Sequence, residues 1–227
     1  MKILDNGIAI IPEDTHASRW VESVGRLDHD GMIESCYLPL CDPEKTTLDV
    51  GANIGTHTFR YAERSKKVVA YEPNSLCYDC LIHNVVKLGN VVCCNFGLGS
   101  RNFTGTIRYG QSGNIGSGFM EESPDGKVQI YSLDEIGVAE GERVGYIKVD
   151  IEGMEFDFLL GACQTIKEHK PRLVLAMQEW NFKMRRVTFD DIFRWLADNG
   201  YRYKPLYSGW RLTDSQYDLL AWPANEA

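Results

Sequence analysis

Leu48-Asp49-Val50-Gly51-Ala52-Asn53-Ile54-Gly55 is an apolar run that breaks into glycines. Thr46–Val50 reads as a buried strand, and residues 54–64 read as the next helix. Glycine at such a turn accepts positive φ and close backbone approach. The free N–H groups of the helix start then point at whatever binds there. In open α/β sheets, ligands sit outside the C-terminal ends of the strands, where such turns lie.

Outward from this turn, short apolar runs alternate with amphipathic ones, the pattern of a parallel α/β sheet. Residues 68–71 read as a second strand. Ser75 is expected to cap a helix to about Leu88, with Gly89 as its stop. Residues 90–95, 146–150 and 173–177 read as the next strands. A helix over 154–168 ends at Lys170-Pro171, and a capping box at Thr188-x-x-Asp191 opens another that ends at Asn199-Gly200. Residues 201–206 and 217–222 read as a closing antiparallel pair. The expected fold is a three-layer α/β/α sandwich of about seven strands, mostly parallel with an antiparallel C-terminal strand. Eight glycines fall between Gly97 and Gly126, and residues 104–109 and 127–131 are read there as an inserted β-hairpin. Residues 1–45, with a strand at 7–11 and a helix at 16–24, are expected to form an N-terminal extension that packs on or covers the core. Residues 46–227 form the ligand-binding domain.

A dinucleotide site would show G-x-G-x-x-G. Here Asn53 stands between Gly51 and Gly55. Asp49 beside the loop disfavours a pyrophosphate, but it suits an ammonium or a sulfonium. Glu72 ends the second strand about 20 residues on, where an acid commonly holds ribose hydroxyls. An adenosine group carrying both positive charges is S-adenosylmethionine.

At this point the chain resembles the FkbM-type methyltransferases, a branch of the seven-strand class I enzymes that use S-adenosylmethionine. The resemblance runs over residues 46–177. It rests on Leu48 to Gly55, Ala70-Tyr-Glu-Pro-Asn74, Gly97-Leu-Gly99, Ser132-Leu-Asp134 and Ile147-Lys-Val-Asp-Ile-Glu-Gly-Met-Glu155. It implies O-methylation of a hydroxyl, on a sugar or another small molecule, with S-adenosylhomocysteine as product. It also implies that Asp49, Gly51, Asn53, Gly55 and Glu72 bind the cofactor, and that Asn95, Gly97 and Leu98 border the adenine. Ala52, Thr56, Pro73, Asn74 and Asp150 complete the expected cofactor set. Substrate recognition is expected in the N-terminal 45 residues, the C-terminal 40 and the glycine-rich insertion.

Asp150 and Glu152 come after the fourth strand, and Glu179 after the fifth. A carboxylate beside the acceptor hydroxyl orients it or takes its proton, so these three are the catalytic candidates. Glu155 serves equally as a helix-start acid or a ligand. Asp150, Glu179 and Asn181 would suit magnesium, an arrangement the sequence does not favour. Cys77-x-x-Cys80 lacks the second ligand pair of a zinc site. His57 lies at the helix start and His16 in the N-terminal segment. Residues 111–118 read as a lid or substrate loop. Lys183 to Arg186 form a basic run, and Trp180 and Trp210 are candidates to stack on a ring.

The net charge is −8. That argues against a nucleic acid as main partner, while the resemblance implies a small-molecule substrate. No apolar run approaches the roughly 20 residues of a membrane span, and Asp5 comes too early for a signal peptide. Seven cysteines, an odd number, fit reduced thiols and a cytoplasmic setting. A homo-oligomer is compatible with all of this. The competing readings are methylation of a protein or nucleic acid, and a nicotinamide-dependent oxidoreductase on a related fold.

Overall fold

The computed structural model describes residues 1–27, 31–109 and 113–226. A short antiparallel pair, β1 (Lys2–Ile3) and β2 (Ala9–Ile10), leads into α1 (Ala17–Val24). A helical segment, Ile33–Tyr37 and Leu38–Leu40, then brings the chain to β3 (Thr46–Val50). The core continues as α2 (Thr56–Tyr61), β4 (Lys67–Tyr71), α3 (Ser75–Val85) and β5 (Val91–Cys94). Next come β6 (Gly97–Leu98), β7 (Phe103–Arg108), β8 (Phe119–Glu122), β9 (Val128–Tyr131) and α4 (Leu133–Ile136). The last third holds β10 (Val144–Val149), α5 (Glu155–Gly161), α6 (Cys163–His169), β11 (Arg172–Gln178), α7 (Glu179–Met184), α8 (Phe189–Asp198), β12 (Tyr201–Pro205) and β13 (Gln216–Pro223).

Seven strands form the main sheet in the order β12-β13-β11-β10-β3-β4-β5. β3 pairs in parallel with β10 and β4, while β13 runs antiparallel to β11 and β12. From β3 the chain moves to β4 and β5 on one side and later returns to β10 on the other. The crevice between β3 and β10 is therefore the switch point where α/β sheets bind ligands. Every residue of β3 is buried, as expected of a central strand covered on both faces. On one face Leu48, Ile147 and Leu175 pack against Phe158, Ile166 and Leu196 of α5, α6 and α8. On the other, Tyr146 and Val174 pack against Tyr61 of α2 and against Ile33, Tyr37 and Leu38 of the N-terminal segment.

Three local expectations shift. Asn74, rather than Ser75, caps α3, because its side-chain oxygen accepts from Leu76 N–H at 3.1 Å. The helix expected over 154–168 is two helices that part at Ala162. Asp134 accepts from the N–H groups of Gln164 and Thr165, both at 2.8 Å, and so starts α6 afresh. The inserted hairpin is larger than expected. β7 pairs antiparallel with both β8 and β9, and β6 adds in parallel beside β9, making a four-stranded sheet. Among the described residues no helix is long and apolar enough to cross a membrane.

The N-terminal segment packs on the core rather than standing apart. Ile10, Ile11 and Val21 pack with Ile54 and with Cys77 and Cys80 of α3. Asp14, buried, ties this segment to the insertion: its carboxylate accepts from Ser18 N–H at 2.7 Å and from Ile115 N–H at 3.0 Å. Asp14→Ala should cost about 1–3 kcal/mol through the orphaned N–H donors of His16, Ser18 and Ile115. Hydrogen exchange at the Ile115 amide should then accelerate at least about fivefold, in proportion to that loss. Unchanged exchange would mean that the loop is held elsewhere.

Candidate active site

The site begins at the turn after β3. Gly51 has φ of +84°, and a Cβ there would lie 1.9 Å from the Asp150 carbonyl oxygen. Only glycine lets the ends of β3 and β10 close this tightly. Asn53 also sits in the left-handed region, at φ 51°, which asparagine tolerates better than other non-glycine residues. It therefore fills the conformational role of the missing glycine while adding a side chain. Its backbone N–H donates to Glu72 Oε2 at 2.8 Å, and Asn74 N–H donates to Glu72 Oε1 at 2.8 Å. The two motifs, separate in the sequence, are thus joined by a hydrogen bond. Burial pushes the Glu72 carboxyl up to about 7, against the pull of those two amides.

Around this carboxylate lies a narrow cavity of about 60 Å³. Gly51, Glu72, Pro73, Asn74, Gly97, Leu98, Asp150 and Glu152 line it from the strand ends. Cys77, Ile130, Ile151 and Met154 add apolar wall, and Ile107, Ile115, Gly116, Gly118 and Met120 close it from the insertion. Small-molecule sites usually measure roughly 300 Å³ or more, so this cavity is narrow as it stands. The insertion rests directly on the turn: a Cβ on Gly116 would approach Asn53 Nδ2 to 2.5 Å. Of the loop expected over 111–118, Gln111 and Ser112 lie outside the described residues.

Beneath the turn lies a polar cluster that sequence patterns did not assemble. Asp49 is fully buried inside β3, below the rim on which it was expected. It accepts from Thr58 Oγ1 at 2.5 Å, and Lys148 Nζ stands 3.8 Å from its other oxygen. The ammonium that Asp49 faces belongs to the chain itself. Lys148 also reaches Asp150 at 3.4 Å. Burial works against the Lys148 charge, but Asp150, Asp49 and Asp218 together hold its pKa above the usual value. Burial raises the pKa of Asp49, and Lys148 opposes that rise.

Asp150 also faces a second cavity, of about 260 Å³, whose other walls include Tyr37, His57, Gln178, Trp210 and Asp218. Tyr37 Oη donates to Asp218. Burial raises the Asp218 carboxyl to about 6, with the Tyr37 bond opposing. His57 Nδ1 lies 2.9 Å from Tyr61 Oη, and Tyr61 Oη lies 3.2 Å from Tyr146 Oη.

Of the remaining sequence candidates only Glu152 lines the first cavity. Ala52 packs with Ala70, Leu81 and Val85. Gly55 caps α2 at positive φ, and Thr56 is buried in its first turn. Asn95 donates to the Glu72 carbonyl oxygen at 2.9 Å. Glu152, at φ 54°, is held by Asn181 Nδ2 at 2.7 Å, and burial beside Asp150 raises its carboxyl to about 7. Glu155 turns back to accept from Ile151 N–H at 2.9 Å, the behaviour of a helix-start acid. Glu179 is not brought to either cavity: it is exposed at the start of α7 and pairs with Lys183 at 2.9 Å. Asn181 Nδ2 donates to Glu152 and to Gln178 Oε1, each at 2.7 Å. Among the described residues no three His, Cys, Asp or Glu side chains group to hold a metal ion. Arg185 of the basic run donates to the Met120 carbonyl at 2.6 Å and so braces the insertion.

Lys148 had a signal in the sequence: a lone cation inside a strand apolar on both faces requires a partner. Tyr37 and Asp218 had none, since they lie 181 residues apart.

This sheet order, with a glycine turn after β3 and an acid after β4, defines the class I methyltransferase fold. The profile of the FkbM methyltransferase domain matches residues 49–203, and the chain belongs to that family. Methyltransferase FkbM from Methylobacillus flagellatus superposes with a TM-score of 0.55 at 18% identity, over 80% of this chain and 44% of that one. The chain thus spans less than half the length of that relative. An rRNA methylase from Streptococcus thermophilus gives 0.52 at 14% identity, over 85% and 93% of the two chains. TrmK from M. capricolum, in complex with its natural cofactor product S-adenosylhomocysteine, gives 0.52 at 11% identity, over 87% and 70%. No curated protein matches the chain.

Proposed function

We propose that the chain transfers a methyl group from S-adenosylmethionine to a hydroxyl oxygen of a small molecule. The observation that carries this reading is the position of Asp150, which lines both cavities. A displacement in line needs its two reactants on opposite sides of one point.

The residues of the first cavity fit the cofactor. Each Glu72 oxygen accepts one backbone N–H and keeps a lone pair for a hydroxyl, so Glu72 would hold the two ribose hydroxyls. Leu98, Ile130 and Met154 offer an apolar slot for a flat base. When bound, the cofactor would supply a methyl group on a sulfonium sulfur, with a neutral thioether as the leaving group. Asp150 holds the acceptor hydroxyl in line, takes its proton as the O–C bond forms, and passes it to solvent through its exposed edge. Lys148 keeps that carboxylate oriented from below.

Thermal melting with S-adenosylmethionine, S-adenosylhomocysteine and NAD tests this reading. The first two should raise Tm by several degrees through linkage, and NAD should not. Stabilisation by NAD alone would overturn the reading. Asp150→Asn should keep the S-adenosylhomocysteine shift while losing about 100-fold or more in methyl transfer.

A further inference from the structure

We propose that the opposite edge of the main sheet carries a separate ligand site, which binds a small phosphorylated molecule. This goes beyond the methyl-transfer reading and does not depend on it.

The sheet itself assembles the site. Lys45 stands immediately before β3, Arg143 immediately before β10, and Arg172 opens β11. These strands are neighbours in the order β11-β10-β3, and neighbouring strands lie about 4.8 Å apart. Cations remote in the chain thus form one row at the N-terminal ends of the strands. His169 and Lys170, at the end of α6, join them. All five line a cavity of about 350 Å³, within the range of small-molecule sites. Lys45 and Gly51 flank β3 at its two ends, about 20 Å apart at the usual strand rise. The cavity therefore lies at the far edge of the sheet from the glycine turn.

Two local features hold the row. β10 is irregular between Val144 and Tyr146, and a Cβ on the intervening Gly145 would lie 2.8 Å from Lys45 Cδ. Glycine there gives the Lys45 stem room to lie against the strand. The Val144 N–H donates to His169 Nδ1 at 3.3 Å, so the ring carries its proton on Nε2 and remains a donor.

The charges do not cancel. Asp42 and Glu226 are the carboxylates on the wall among the described residues. Asp42 pairs with Lys45 at 2.9 Å, and Glu226 with Arg172 at 3.4 Å. Arg143 and Lys170 have no ion pair among the described residues. Two uncompensated cations thus share a concave site in a chain of net charge −8. A cleft lined by one sign of charge concentrates the opposite ion, and the arginine fork matches phosphate oxygens. Exposed ion pairs are weak, so a phosphate dianion can draw Lys45 and Arg172 from their carboxylates. No Phe, Tyr or Trp lines the cavity among the described residues, so it lacks the stacking platform of a nucleic-acid site.

The experiment is calorimetric titration of the intact protein at near-physiological salt, with and without saturating S-adenosylhomocysteine. The probes are pyrophosphate and glucose 6-phosphate, beside a single-stranded RNA oligonucleotide and vesicles containing a phosphorylated phosphoinositide. Pyrophosphate and glucose 6-phosphate are expected to bind whether or not S-adenosylhomocysteine is present. Arg143 and Lys170 are exposed, so the double variant Arg143→Gln, Lys170→Gln keeps the fold, with an unchanged Tm in the absence of phosphate. It should weaken pyrophosphate binding at least about tenfold. Glu226→Gln, which releases Arg172, should tighten it about two- to fivefold. No binding of either phosphate probe by the natural protein would overturn the proposal, as would binding that neither variant alters. RNA or vesicles bound through Arg143 and Lys170 more tightly than pyrophosphate would overturn it too, in favour of a macromolecular or membrane surface.

Discussion

Lys148→Met is expected to destabilise the protein by about 3–5 kcal/mol at pH 8, the usual loss when one partner of a buried charge pair is removed. Methionine fills the space of the lysine stem, so little of this loss comes from packing. Asp49 is left fully buried, with one oxygen bonded to Thr58 and the other without a hydrogen-bond partner. A buried carboxylate in that position takes up a proton rather than stay charged. The Asp49 pKa is already raised by burial, and loss of the cation raises it further. A group whose folded pKa lies above its unfolded value binds more protons when folded, so stability falls as pH rises between the two. The variant should therefore be closest to the natural protein near pH 5 and furthest from it at pH 8, as read by urea denaturation. A second change, Asp49→Asn, should recover much of the loss and flatten the pH dependence. A loss that is the same at both pH values would show that Lys148 acts by packing and not by charge.

Glu72→Gln should weaken S-adenosylhomocysteine binding by about 10- to 100-fold, on the scale of one or two charge-assisted hydrogen bonds. The reason is a mismatch of donors. Each Glu72 oxygen accepts a backbone N–H, one from Asn53 and one from Asn74. A glutamine has only one acceptor oxygen, so one of those amides would face an NH₂ group, at a cost of about 1–3 kcal/mol in stability. The natural protein should also show a pH signature. Glu72 titrates near 7 because burial raises it. Hydroxyl donors favour the ionised form, so affinity should rise about tenfold from pH 6 to pH 8 if this group dominates. In the unliganded protein the same shift has the opposite effect on folding: stability falls as pH rises from about 4.5 to about 7. Calorimetric titration at pH 6 and pH 8 should find the rise in affinity reduced in Glu72→Gln. An unchanged rise would move the titrating group elsewhere, with Glu152 the next carboxylate on the cavity wall.

The site was legible where its chemistry is local. Glu72 could be placed because strand β4 is short and its end is marked by Pro73-Asn74. The capping box at Thr188 and Asp191 is a pattern of four residues and forms as expected. Asn53 departs from glycine in side chain, yet it adopts the same left-handed backbone, which the sequence pattern does not report. Glu179 looked equivalent to Asp150 in sequence, as the acid at a strand end. The difference lies in the next turn of chain: α7 begins at Glu179 itself and carries Lys183 four residues on, which draws the carboxylate to the surface.

By itself, the sequence determined the order of strands and helices, the glycine turn, and the acid that closes against it. Those features are written in hydrophobic period and turn chemistry within a few residues of each other. Only the tertiary structure decided which charges neutralise which. β3 and β10 are neighbours in the sheet, so Asp49 meets Lys148 from a strand remote in the chain, and Tyr37 reaches Asp218 across 181 residues. The Gly51 turn is therefore a local invention of the sequence. The buried ion pair beneath it, and the second cavity beside it, exist only because the sheet brings distant strands within a few ångströms.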